Sequence, residues 1–150
     1  MARSNSYFKR QVQTIAMQAA SLKSAFPNSK IEFGRNNEMV WIGKLQPTPL
    51  SAIYTLRIKY RLGKRPEVTV LDPILVSRNG ERLPHVFKGN LLCLFRYKYH
   101  EWISTMLIVN TIVPWTSLWL FHYEVWYATG VWCGSKEEHP GDDDPKKPTE

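Results

Sequence analysis

Tyr54-Thr55-Leu56-Arg57-Ile58-Lys59-Tyr60-Arg61 alternates apolar and polar residues without a break. Tyr54, Leu56, Ile58 and Tyr60 fall on one side; Thr55, Arg57, Lys59 and Arg61 fall on the other. That period of two is the signature of a strand with one face in a core and a basic face in water. The neighbouring segments read as companions. Downstream, Arg-Leu-Gly-Lys-Arg-Pro turns the chain into a short strand, Val68 to Leu71, which Asp72-Pro73 ends. Upstream lie Met39 to Leu45, with Trp41 inside it, and the shorter Ile31 to Phe33. Connections this short imply an antiparallel meander of four strands.

Helical spacing brackets the meander. Phe8, Val12, Ile15, Ala19, Leu22 and Phe26 recur at intervals of four and three, which predicts a helix over residues 4–26 with one apolar stripe. Ser4 to Ser6 offers its N-cap and Pro27-Asn28-Ser29 its stop. Residues 72–101 are irregular, with Asn79-Gly80, Pro84 and Gly89-Asn90 as breaks; so long an irregular stretch inside a domain is usually functional or mobile. Trp102 to Tyr123 has no full charge over 22 residues, long enough to span a bilayer. Its Ser, Thr and Asn content and Pro114 argue instead for two shorter buried pieces joined at Pro114. The second piece runs as a helix to Thr129, with Gly130 as its terminal glycine and Leu118, Phe121, His122, Val125 and Trp126 near one face. Helix, four strands, loop and helix make an α+β domain over residues 1–134.

A chain of 150 residues with 43% apolar content can bury a core without staples, and two cysteines exclude a disulfide scaffold. Residues 136–150 hold six acids and three bases, which predicts a flexible, acidic, Pro-rich tail over 135–150. The remaining 17 bases and 7 acids give a basic body suited to an acidic partner of unspecified kind. The N-terminus has no apolar run after its charges, so a cytoplasmic location with free thiols is expected. No P-loop, Gly-x-Gly-x-x-Gly, Cys-x-x-Cys or His-x-x-x-His spacing occurs, so no cofactor or metal is expected.

Two residues can carry chemistry. Cys93 sits in Leu91-Leu92-Cys93-Leu94-Phe95, where a free cysteine is commonly an inert core residue. A functional role requires a thiol that water can reach, with Lys88, Arg96, Lys98 or His85 close in space. His85 lies eight residues earlier and can donate to an oxyanion or accept a proton. His122 faces apolar company and reads as a satisfied core residue. Arg57, Lys59, Arg61, Lys64 and Arg65 read as a solvated strand face, or as a docking site for phosphates or an acidic partner.

Element order and the cysteine loop together resemble the ubiquitin-conjugating enzymes. Trp41-Ile42-Gly43-Lys44-Leu45 is similar to that family's second-strand region, and Arg65-Pro66-Glu67-Val68-Thr69-Val70-Leu71-Asp72-Pro73 to its Pro-x-Val run. Leu83-Pro84-His85 falls where the family has His-Pro-Asn, at the family's distance from the cysteine. Leu92-Cys93-Leu94 resembles the sequence around the family's nucleophile, and Trp102 falls near its later tryptophan. His85 thus replaces the family's asparagine. Pro-Trp-Thr-Ser-x-Trp-Leu and Ala-Thr-Gly-x-Trp look like the prokaryotic branch found in CBASS antiphage operons beside a cGAS-like nucleotidyltransferase.

The resemblance implies a ubiquitin-conjugating-enzyme-like fold and a transferase that holds an acyl group as a thioester on Cys93, with His85 supporting transfer. It implies a cGAS-like nucleotidyltransferase as partner, whose C-terminus is donor or target. Cys93 is then loaded by a separate activating enzyme or without ATP-dependent activation; no nucleic acid or membrane is required. Two alternatives stand beside this: a non-catalytic binding module of the same fold with Cys93 buried, and a nucleic-acid binder built on the basic strand.

Overall fold

The computed structural model describes residues 11–95 and 101–134. The chain order is α1 (Ile15–Ala25), β1 (Lys30–Gly34), β2 (Glu38–Leu45), β3 (Tyr54–Arg61), β4 (Glu67–Asp72), a 3-10 turn (Ile108–Asn110) and α2 (Ile112–Thr129). The strands form one antiparallel sheet in the order β1-β2-β3-β4, the α+β meander that the alternation of β3 predicts. Register places Met39 opposite Tyr60, Trp41 opposite Ile58 and Ile58 opposite Val68 on the inner face. All five side chains are buried, and the two helices close over them in a single core that also takes Leu22, Trp102, Ile112 and Leu120. The Trp41 indole lies across Gly43, where any Cβ would overlap it.

The outer face is less uniformly basic than β3 alone suggests. Glu38 opposes Arg61 and pairs with Lys59 at 3.6 Å, and Glu67 opposes Lys59 on the other side. Acids from β2 and β4 therefore interleave the cations, which weakens the case for a phosphate-tracking surface.

The first helix is shorter than its stripe predicts. Residues 11–14 are not helical, and Thr14 is the N-cap, its hydroxyl accepting from the Met17 N–H at 3.1 Å. The Gln13 N–H instead donates to the Ser104 carbonyl at 2.9 Å, so this backbone pairs with the segment before α2. Val12, placed in the stripe, is exposed. Phe8 and the Ser4–Ser6 cap lie outside the described residues, as do the expected tail at 135–150 and Arg96, Lys98, His100 and His139. Gln18, absent from the stripe, is fully buried: its amide nitrogen donates to Met106 O at 2.8 Å and its carbonyl accepts from Ile108 N at 2.9 Å. One polar side chain thus fastens α1 to the entry of α2 with both halves satisfied.

The second helix begins at Ile112, so the two buried pieces join at Thr111 and not at Pro114. Pro114 sits in the first turn, where a missing N–H costs nothing. Gly130 ends the helix at φ +80°, its N–H donating to Trp126 O. The core face is Thr116, Trp119, Leu120, Tyr123 and Trp126; Leu118 and Phe121, expected on it, are exposed. The helix is apolar nearly all round, so periodicity alone did not select its buried side. Among the described residues, no helix is long and apolar enough to cross a membrane.

Candidate functional site

The site grows out of β4. After Asp72-Pro73 the chain makes a tight turn at Asn79-Gly80, both at positive φ, bridging Arg78 to Glu81. It then folds into a small hairpin whose tip, Gly89-Asn90, is also left-handed. Phe87 N donates to Leu91 O at 2.8 Å, Val86 bridges Leu92, and Cys93 N donates to His85 O at 2.9 Å. The eight-residue spacing read from the sequence is therefore a hairpin that returns Cys93 to the side of His85. A further bond, Leu92 N to Val68 O at 2.9 Å, hooks this hairpin onto β4. On the other flank the Trp119 indole of α2 donates to the same His85 carbonyl at 3.1 Å.

His85 is held at φ +52°, a left-handed backbone that costs a non-glycine residue about 1–3 kcal/mol. Two bonds to its carbonyl, one from the loop and one from α2, keep it there. Its ring packs against Trp132, tilted, at 4.8 Å between centroids.

Cys93 and His85 line one cavity of about 330 Å³, walled by Trp115, Trp119 and His122 from α2, by Trp132 and Gly134 beyond it, and by Glu101. The sulfur-bearing residue is only 3% exposed, so the freely accessible thiol expected of a nucleophile is not what the fold presents. Aromatic rings crowd the same cavity: Trp132 packs against Trp119 at 5.4 Å and against the rings of His85 and His122 at 4.8 and 5.8 Å between centroids. Lys88, expected near the thiol, is exposed on the hairpin and is not among the cavity walls.

His122 corrects a second expectation. It is not a satisfied core residue: its Nδ1 is buried without a hydrogen-bond partner, and its ring helps line the cavity. Desolvation holds its pKa below the usual histidine value, so the ring is neutral near pH 7. Trp115, Leu118, Trp119 and His122 all line the cavity at i, i+3, i+4 and i+7. That spacing marks one helical face and was the available signal for this wall. Trp132 and Glu101 carried no comparable pattern.

A helix–meander–helix fold with a cysteine hairpin rising from the fourth strand is the ubiquitin-conjugating-like architecture. The family model for Type II CBASS E2 protein matches residues 18–140, a span that includes most of α1, the whole sheet, α2 and every described wall of the cavity. This chain belongs to the type II CBASS E2 family. No curated protein matches the chain. Membership places this E2 in antiphage defence, among the components of a CBASS system.

Proposed function

We propose that this E2 carries an acyl group as a thioester on Cys93 and passes it to an acceptor nucleophile, acting on a cGAS-like nucleotidyltransferase whose C-terminus is donor or target. The observation that carries the reading is the pairing of Cys93 with His85, backbone to backbone, on the wall of one cavity. The thiolate attacks the carbonyl of the incoming acyl group, and a nearby imidazole is the kind of group that takes the thiol proton. Transfer then passes through a tetrahedral intermediate, whose oxyanion a ring N–H of His85 stabilises. The acyl group arrives from a separate partner, either an activating enzyme or the acyl-bearing protein itself. Residues 1–134 form the transferase domain in this reading, and 135–150 its appended tail.

Co-expression with the nucleotidyltransferase, followed by intact-mass spectrometry under non-reducing conditions, tests the proposal. A thiol-labile adduct is expected on the wild-type protein and none on Cys93→Ala; equal adducts on both would remove Cys93 as the carrier. A non-catalytic module is the second reading, favoured by the 3% exposure of Cys93. Iodoacetamide separates the two. Labelling of Cys93 in the folded protein, faster than global unfolding, supports the transferase; labelling only in denaturant supports the module.

A further inference from the structure

Six buried polar side-chain atoms among the described residues lack a hydrogen-bond partner. Buried polar groups are nearly always paired, so each such atom asks for a reason. Those of Gln13, Trp41, Tyr60, Thr105 and Glu124 belong to residues that do not line the cavity; His122 does. It shares that space with a thiol and a second imidazole.

We propose that His122 is the catalytic base that takes the proton from the nucleophile discharging the Cys93 thioester. The proposal rests on the thioester reading above and adds a residue to it. Both imidazoles pack against Trp132, His85 at 4.8 Å and His122 at 5.8 Å between ring centroids. Their settings differ. His85 is fixed in the hairpin through its own carbonyl, which receives both the Cys93 N–H and the Trp119 indole. His122 projects from α2, its ring packed beside Trp132 and Gly134: a Cβ at Gly134 would lie 3.0 Å from His122 Cδ2. Burial keeps this ring neutral, leaving a lone pair able to accept a proton at neutral pH. The other titratable groups facing the same space are Cys93, His85 and Glu101.

With an amine as acceptor, its nitrogen attacks the thioester carbonyl and a C–N bond forms. The C–S bond breaks and its electron pair returns to sulfur. The proton shed by nitrogen passes to the His122 imidazole, and the imidazolium returns it to the Cys93 thiolate. The products are an amide and the free thiol, with no further reactant.

The test separates loading from discharge. Wild type, His122→Gln and His122→Phe are incubated with a synthetic peptide thioester ending in glycine, and the Cys93 adduct is followed by intact mass. The purified adduct is then mixed with butylamine at pH 7. All three proteins are expected to load alike, and both variants to discharge roughly 10²- to 10⁴-fold more slowly, the usual share of general-base catalysis. The phenylalanine variant keeps an aromatic ring against Trp132, so a role in packing alone would leave its discharge at the wild-type rate. Equal loading with equal discharge overturns the role of His122 and leaves Cys93 as carrier. Absence of adduct on all three proteins overturns the thioester reading, and the role of His122 with it.

Discussion

The meander and the cysteine hairpin differ in how they hold their shape. In β2 and β3 the backbone is paired residue by residue, and apolar side chains alone fill the inner face. In the hairpin from Leu83 to Phe95, a handful of bonds, two left-handed glycine and asparagine positions and one left-handed histidine do the same work. Redundant pairing makes the sheet tolerant of any single loss. The hairpin has no such redundancy, and its strain gathers at His85, beside the thiol. Stability should therefore reside in one region and chemistry in the other.

Three substitutions test that division, beginning with the largest effect. Replacing His85 by alanine should slow single-turnover transfer by about 10²- to 10³-fold, the cost of one oxyanion donor. Its melting temperature should stay within a few degrees of wild type, because the ring lines the cavity and packs on Trp132; an unchanged rate would take His85 out of the mechanism. Gly43→Ala should do the reverse. Its Cβ collides with the Trp41 indole under the sheet, an overpacking expected to cost about 1–3 kcal/mol. At about 2–4 °C of melting temperature per kcal/mol for a chain of this size, calorimetry will register the loss. The surviving folded fraction should transfer at the wild-type rate, and a slowed rate would break the division. Trp119→Phe lies between them. Losing the indole donor to His85 O should cost about 0.5–1.5 kcal/mol and loosen the hairpin, with a several-fold slower transfer. If melting falls while transfer is untouched, the helix does not position His85.

The sheet was legible because water and core face opposite sides of β3, so each residue reports its own side. The pairing of Cys93 with His85 was legible as a spacing of eight, closed by a turn at Gly89-Asn90. The start of α1 was not: the apolar stripe runs on past Thr14, and the Thr14 cap together with the bond from Gln13 to Ser104, ninety-one residues away, ends the helix there. The buried face of α2 was hidden because Leu118 and Phe121 are as apolar as the residues that reach the core. His122 was misread for a related reason. Apolar neighbours in sequence suggested packing, whereas Trp132 and Gly134, beyond the helix end, help shape a hollow beside it.

The bond from Leu92 to Val68 has a consequence for the company this domain keeps. A strand at the border of a sheet, with carbonyls unclaimed, invites a foreign chain to add itself. Along β4 the cysteine hairpin occupies part of that border, one residue before the thiol. A peptide that annealed there would have to lift Leu92 away, and Cys93 with it. Guarding the sheet against unwanted neighbours and keeping the sulfur in register are thus one and the same contact.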